Sequence, residues 1–133
     1  MNIYSYIDYL LLEGERMTKE NCLLKEEHEW RVQNVKAEMP TAEEIERECN
    51  VFRMLGEPSR LKIVLALMQG EMCVYHLVEC CGGTQSGTSH QLRILKDNRV
   101  VKSRREGQNV LYSLADEHIV KILELGKAHT DCE

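Results

Sequence analysis

Apolar residues recur every three or four positions in separate stretches of the chain, a spacing typical of amphipathic helices. The first clear stretch follows Pro40, where Thr41 and Glu44 form a capping box that favours a helix start. Its apolar stripe consists of Ile45, Cys49, Phe52 and Leu55. Gly56 then favours a helix end, so we predict a helix between the capping box and this glycine.

The next stretch is apolar on most of its sides rather than on one. Pro58 suits the first turn of a helix, and residues 59–69 continue the helix until Gly70 ends it. Its apolar positions are Leu61, Ile63, Val64, Leu65, Leu67 and Met68. We therefore predict that this helix is the buried one.

Two shorter helices are predicted on either side of a glycine pair. The first covers residues 73–81, residues 82–83 form a turn, and residues 84–96 form a second helix with a threonine cap. Leu92 and Leu95 of the second helix are expected to face inward. A helix, a glycine-containing turn and a further helix make up the helix-turn-helix pattern.

A strand-like pattern replaces the helical one after these elements. Residues 100–104 and 110–113 flank a turn at residues 106–109, which predicts a β-hairpin, or wing. Asp116 then caps a last helix, whose apolar stripe is Ile119, Ile122, Leu123 and Leu125. The predicted fold class is mainly α with a small β-hairpin, a winged helix-turn-helix.

The predicted organisation has two parts. Residues 1–40 form an N-terminal extension, and residues 41–133 form the winged helix-turn-helix domain for DNA binding and dimerisation. Residues 13–16, just before Met17, are Glu, Gly, Glu and Arg, whose codons can be purine-rich. The segment therefore resembles a ribosome-binding site that has been translated as protein. We hypothesise that residues 1–16 are not part of the native protein; a short amphipathic helix is the alternative interpretation.

Charge is distributed unevenly along the chain. The net charge is −5, but residues 90–109 carry six basic and two acidic side chains, a local charge of +4. The rest of the chain therefore carries −9. A basic patch on an acidic protein favours a nucleic-acid partner at that patch and keeps the remaining surface away from DNA.

The six cysteines form no CxxC pair, which argues against a zinc ribbon or a thioredoxin-type motif. No apolar run is long enough to span a bilayer, and no signal peptide is recognisable, so we expect a cytoplasmic protein without a membrane partner. Cysteines in such a protein are thiols, ligands or core residues rather than disulfides. Cys49, Cys80 and Cys81 fall on apolar stripes and are predicted to lie in the core.

The last helix carries residue types that bind metals. His118 and His129 are eleven positions apart, so both rings leave the same helix face about 16 Å from each other. One ion cannot span that distance, but an antiparallel copy of the helix would place His129 of one subunit beside His118 of the other. Asp116 and Cys132 complete a tetrahedral set suited to Zn(II), and the thiolate also favours Cd(II) or another soft metal. The spacing thus predicts a homodimer with metal sites shared between its subunits.

From Leu55 onward the chain resembles the ArsR/SmtB family of metal-sensing winged-helix repressors. The resemblance is carried by residues 55–61, 71–74, 84–92 and 105–108, and by the terminal Asp-x-His that is followed eleven residues later by His. It implies a homodimer, formed through N- and C-terminal helices, that binds double-stranded operator DNA without metal and releases it when metal binds.

The resemblance also implies which residues contact DNA. Those on the recognition helix, which would enter the major groove, are Gln85, Ser86, Ser89, His90 and Gln91. Those on the wing, which would meet the backbone or the minor groove, are Arg104, Arg105 and Gln108. Glutamine and serine side chains can pair with base edges, and serine also holds phosphates.

A second candidate metal or thiol site lies at the start of the first helix-turn-helix helix. Cys73 and His76 share one helix face because they are three positions apart. In soft-metal sensors of the family this helix start supplies ligands, and Cys22 or His28 of the N-terminal arm would complete the set. Tyr75 replaces the second cysteine of the arsenic- and cadmium-sensing pattern. A free thiol without a metal is the alternative interpretation.

We expect no enzyme, because the sequence contains no nucleophile–base pairing or phosphate loop and the terminal metal set has no open position. Two alternatives to a metal-responsive repressor remain open. One is a repressor of the same fold that senses thiol oxidation or persulfides. The other is a winged helix without an operator, which buffers metal or binds protein.

Overall fold

A computed structural model describes residue 18 and residues 25–132 of the chain. The internal contacts divide the chain into two units, Met1–Thr41 and Ala42–Glu133. Residues 1–17, which include the segment hypothesised not to be native, lie outside the described residues, as does Cys22. Across the described helices, none is both long and apolar enough to cross a membrane.

The first unit contributes one described helix, α1 (Lys25–Glu38). Its side chains pair along the helix surface, with Arg31 Nη2 at 2.8 Å from Glu27 Oε2 and Gln33 Nε2 donating to Glu29 Oε1 at 3.2 Å. Such pairs four residues apart support an exposed helix. Trp30, the tryptophan of the chain, is exposed on this helix.

The second unit has the predicted order of elements. Along the chain these are α2 (Ala42–Leu55), α3 (Pro58–Leu67), α4 (Val74–Cys81), α5 (Gln85–Asp97), β1 (Val101–Glu106), β2 (Asn109–Leu114) and α6 (Glu117–Thr130). The mainly α fold with one β-hairpin is therefore confirmed, with α4 and α5 as the helix-turn-helix and β1–β2 as the wing.

Capping side chains set the starts of these helices. Glu57 accepts hydrogen bonds from the backbone amides of Ser59 and Arg60 at 3.1 and 2.9 Å, and Pro58 occupies the first turn of α3. Thr84 Oγ1 accepts from the amide of Gly87 at 3.0 Å and caps α5 as predicted. Each cap satisfies amides that have no partner within the helix.

The core of the second unit joins the end of α2 to α3, α4, α5, the wing and α6. Its buried members are Leu55, Ile63, Val64, Leu67, Leu77, Leu92, Leu95, Val100, Val101, Leu114, Ile119 and Leu123. Leu92 and Leu95 are fully buried, so the recognition helix is anchored to the core through one face. The buried position of α3 is confirmed, although Leu65 on its outer side is 41% exposed.

The wing is an antiparallel hairpin whose register runs from Val101 opposite Leu114 to Glu106 opposite Asn109. Gly107 at the turn has a φ of +63°, a conformation that favours glycine. A third segment joins the hairpin, because the backbone of Met72 exchanges hydrogen bonds of 3.0 and 2.8 Å with that of Tyr112. The segment that leads into α4 is therefore fixed to the wing.

Two predictions about the core were wrong. Cys49 and Cys80 were expected in the core and are exposed, whereas Cys81 is half-buried against the core, and burial raises the pKa of its thiol. The stripe on α2 is also partly uncovered, since Phe52 is 57% exposed while Leu55 is buried, and Leu125 on α6 is 70% exposed. An apolar stripe shows which residues share a helix face, but it does not distinguish a face packed against the core from one left for another chain.

Candidate nucleic-acid interface and metal centre

The recognition helix α5 presents a polar face on the side opposite its core anchors. Leu92, Leu95 and Thr88 are buried against the unit. The exposed side chains of the first two turns are Gln85, Ser86, Ser89 and His90. These four predicted DNA contacts are thus brought together on one accessible surface, with hydrogen-bonding groups that can reach base edges and phosphates.

Gln91, the fifth predicted contact, differs from the other four. It is half-buried, and its side-chain oxygen accepts a hydrogen bond from Arg60 Nη1 at 3.3 Å. Arg60 is itself held by the carbonyl oxygens of Met54 and Arg53 at 3.0 and 3.2 Å. Bidentate pairing with adenine needs both the oxygen and the amide of a glutamine. Gln91 is therefore engaged with the scaffold in the described chain.

Arg104 on the wing is also engaged, whereas Arg105 and Gln108 are exposed. Its Nε and Nη2 atoms donate to the two carboxylate oxygens of Glu71 at 2.8 and 3.2 Å, and Nη1 lies 3.0 Å from Glu106 Oε2. These contacts raise the pKa of Arg104, and the hydrogen bond from Arg104 lowers the pKa of Glu71. Sequence patterns did not indicate Glu71, whose carboxylate occupies guanidinium donors that a DNA phosphate would need.

Replacing Glu71 with glutamine is therefore expected to strengthen DNA binding about two- to fivefold, the range that an exposed ion pair can account for. The gain should be equal on operator and random DNA, because a phosphate contact positions the protein without reading sequence. Fluorescence anisotropy on both DNAs measures it. Glu79→Gln removes the same charge from an exposed site on α4. An equal gain in that control would assign the effect to net charge rather than to Arg104.

The end of α5 is tied to the wing as well as to the core. Lys96 Nζ donates to Ser103 Oγ at 2.7 Å. Arg99, just after the helix, has a φ of +60°, and the amide of the following Val100 donates to the carbonyl of Leu95 at 2.9 Å. A left-handed residue followed by such a bond is a common helix ending. The recognition helix and the wing are thus joined through one short connection.

Asp116 at the start of α6 combines a structural and a candidate ligand role. Its Oδ1 accepts from the amides of Ile119 and His118 at 3.2 and 2.9 Å, and these bonds lower the pKa of Asp116. The carboxylate is therefore ionised at neutral pH, as a metal ligand must be. His118 is exposed, and its Nδ1 lies 3.4 Å from the same oxygen.

The other two predicted ligands lie at the far end of α6. His129 and Cys132 are both exposed, and the amide of Cys132 donates to the carbonyl of His129 at 3.3 Å. Within the described part of one chain, no three Asp, Glu, His or Cys side chains come together to hold a metal ion. The oxygen, nitrogen and sulfur donors fit Zn(II) by type, but one chain supplies only half of the set at each end of its helix.

The second candidate site is partly assembled. Cys73 is the residue that precedes α4, and its Sγ lies 3.5 Å from Nδ1 of His76. His76 is exposed and Cys73 is half-buried, so the pair is accessible from solvent. Cys22 lies outside the described residues, and His28 belongs to the first unit. A thiol beside an imidazole is a reasonable ligand pair or reactive thiol.

Comparison with known proteins identifies the family. A family model described as bacterial regulatory protein, arsR family, matches residues 57–103. A transcriptional repressor SmtB homolog from Synechocystis sp. is 40% identical over 95 residues, which cover 71% of this chain and 72% of that protein. A cadmium resistance transcriptional regulatory protein CadC homolog from Staphylococcus aureus is 33% identical over 114 residues, 85% of this chain and 93% of that protein.

A solved structure shows the same architecture. It is the homodimeric winged helix-turn-helix DNA-binding domain of a possible ArsR-family transcriptional regulator from Mycobacterium bovis, with a TM-score of 0.64 and 29% identity. The match covers 68% of this chain and 83% of that chain. The family model, the relatives and the solved structure all indicate the same winged helix-turn-helix fold that this chain has. The chain therefore belongs to the ArsR/SmtB family of metal-sensing winged-helix transcriptional repressors.

Proposed function

We propose that this protein is a homodimeric repressor that binds operator DNA without metal and releases it when Zn(II), or a softer metal such as Cd(II), binds. The observation that carries the proposal is the arrangement of α6. Asp116, His118 and His129 are all exposed on it, and the two imidazoles of one chain are too far apart to bind the same ion. Relatives named for the SmtB repressor and for cadmium resistance support the metal response.

The DNA-binding step uses two copies of α5. Each subunit of a twofold dimer would place its recognition helix in the major groove, so the operator should be an imperfect palindrome. Gln85, Ser86, Ser89 and His90 would read the groove, while Arg105 and Gln108 on the wing would contact the backbone. The acidic remainder of the chain disfavours other modes of DNA contact.

The metal-binding step uses two antiparallel copies of α6. Leu125, exposed in the single chain, would be covered at the helix pair. Asp116 and His118 of one subunit would then meet His129 and Cys132 of the other, twice per dimer. Metal ligation would hold the two α6 helices in one relative arrangement, which must disfavour the separation of recognition helices that the operator requires. By linkage, DNA must weaken metal binding by the same factor.

Titrating zinc into the metal-free dimer on its promoter DNA tests this proposal. Fluorescence anisotropy should record a weakening of operator binding by about 5- to 150-fold, the usual size of such coupling. A parallel Cd(II) titration should show that the thiolate-containing site also accepts a softer ion. His129→Ala should bind operator as the wild type does but lose the zinc response.

The matched control is His76→Ala, which removes the exposed histidine of the other candidate site. It should keep the full zinc response. Zinc-induced release that persists in His129→Ala and disappears in His76→Ala would move the sensing site to α4.

Thiol sensing is the second candidate function, because Cys73 Sγ lies 3.5 Å from His76 Nδ1. A neighbouring imidazole can stabilise a thiolate, the form that reacts with oxidants and persulfides. This alternative predicts release of operator DNA on oxidation that survives His118→Ala and is lost in Cys73→Ser.

A further inference from the structure

A side-chain amide pair joins α2 to the end of the recognition helix. Asn50 Nδ2 on α2 donates to Asn98 Oδ1 at 2.7 Å, although the two residues are 48 positions apart. Asn98 immediately follows α5, and its own Nδ2 donates to the carbonyl of Ile94 at 2.8 Å. Both asparagines are half-buried. The pair therefore connects α2, by a short and directional bond, to the last turn of α5.

A second connection from α2 reaches the middle of the same helix. Arg60 holds the carbonyl oxygens of Met54 and Arg53 near the end of α2, and it donates to Gln91 Oε1 at 3.3 Å. The recognition helix is thus linked to α2 at Gln91 and again at Asn98. Two polar links at different points along α5 add directional restraints to the packing of Leu92 and Leu95 against the core.

The α2 helix is also suited to contact the second subunit. Ile45 and Phe52 on it are exposed large apolar side chains, although Leu55 at its end is buried in the core. The solved domain of the possible ArsR-family regulator from Mycobacterium bovis is a homodimer, so an uncovered apolar face on the first helix of the second unit fits a dimer contact. Asn50 lies on α2 between these two residues in sequence.

We propose that the Asn50–Asn98 pair is a positioning contact, which sets the direction of the recognition helix relative to α2 and thereby the operator specificity of the dimer. Apolar side chains pack in several ways, but an amide pair forms its bond in one geometry. A movement of Asn98 also displaces the wing, because Lys96 and Ser103 join the same end of α5 to β1. Only the zinc arm of the test below rests on the proposed metal response.

Two variants, Asn50→Asp and Asn98→Asp, distinguish the effect of the bond from the effect of a changed charge or shape. Asn50→Asp removes the amide donor, so two carbonyl-type oxygens face each other unless Asn98 turns and gives up its bond to Ile94. Asn98→Asp keeps an acceptor for the Asn50 donor and so keeps the link to α2, but it gives up the bond to the carbonyl of Ile94, so it measures what that local bond contributes. Both variants add one negative charge, and Asn50→Ala provides a third variant if Asn50→Asp does not fold.

The measured quantity is the ratio of operator affinity to random-DNA affinity at one salt concentration. Asn50→Asp is expected to lower this ratio by about two- to thirtyfold, the span seen when coupling residues away from a ligand are changed. Asn98→Asp should stay within about twofold of the wild type, and affinity for random DNA should fall equally little in both. Backbone contacts tolerate a small rotation of the reading face, whereas base contacts do not.

Zinc gives an independent arm of the same experiment. If the metal response acts through the direction of α5, Asn50→Asp should reduce the zinc-dependent change in operator affinity and Asn98→Asp should keep it. An unchanged specificity ratio in Asn50→Asp and Asn50→Ala would overturn the proposal, as would equal losses in Asn50→Asp and Asn98→Asp. A wild-type dimer that ignores zinc would contradict the proposed function instead, and the specificity ratio would still decide the role of the pair.

Discussion

An equal mixture of the His118→Ala and His129→Ala proteins is expected to regain zinc-induced release of operator DNA, although each variant alone has lost it. In a mixed dimer, the intact His118 of one subunit faces the intact His129 of the other. One of the two shared sites is then complete, and the other lacks both histidines. A site built within a single chain could not be restored in this way.

The reason lies in the geometry of α6. Its 14 residues span about 20 Å, so the ligands at its two ends must find partners on another chain. Random exchange of subunits gives about half mixed dimers, which are prepared pure by co-expression with two affinity tags. Such dimers should bind one zinc ion each, against two for the wild type. Zinc titration with a competing chelator measures the stoichiometry.

The matched control mixes His118→Ala with Asp116→Asn. Both changes lie at the same end of α6, so every site of the mixed dimer still lacks one ligand. Asparagine replaces the aspartate cap well, because it also accepts hydrogen bonds from the first amides of a helix. Recovery in both mixtures, or in neither, would contradict the intersubunit arrangement.

Local patterns in the sequence were sufficient for the elements and for the faces of the two key helices. Thr84 and Asp116 cap α5 and α6 as predicted, because capping depends on residues within one turn. The burial of Leu92 and Leu95 followed from helical periodicity, whereas the DNA-contacting residues on the other side of α5 were inferred from the family resemblance. The winged fold therefore required only short-range information and the order of the elements.

The contacts that control the candidate sites were not predictable in the same way. Glu71 and Arg104 are 33 residues apart, and Asn50 and Asn98 are 48 apart. Neither pair leaves a periodic signal, since each arises only when two elements dock. Cys49 was assigned to the core because its stripe is apolar, but of that stripe only Leu55 is buried, whereas Ile45, Cys49 and Phe52 are exposed. Tertiary packing decides such cases, and periodicity alone does not.

Truncating Leu92 to alanine is expected to reduce the free energy of unfolding by about 2–5 kcal/mol, a large part of the 5–15 kcal/mol of a typical domain. Leu92 is fully buried, and it is one of the two fully buried leucines through which α5 meets the core. Its loss leaves a cavity beneath the helix that carries Gln85 and Ser86. Urea unfolding, monitored by circular dichroism at one fixed protein concentration, measures the change, because dimer stability depends on concentration.

Leu65→Ala is the matched control, because it deletes the same atoms from α3 at a site that is 41% exposed. Leu65→Ala should lower the free energy of unfolding by clearly less than Leu92→Ala, because part of the Leu65 side chain already contacts water in the folded state. Operator affinity separates the two variants further. At a temperature where both are folded, Leu92→Ala should bind operator more weakly, because the recognition helix rests on that side chain, and Leu65→Ala should bind normally. Equal losses of stability and of affinity would mean that the core does not fix the reading face, and that the polar links from α2 hold α5 by themselves.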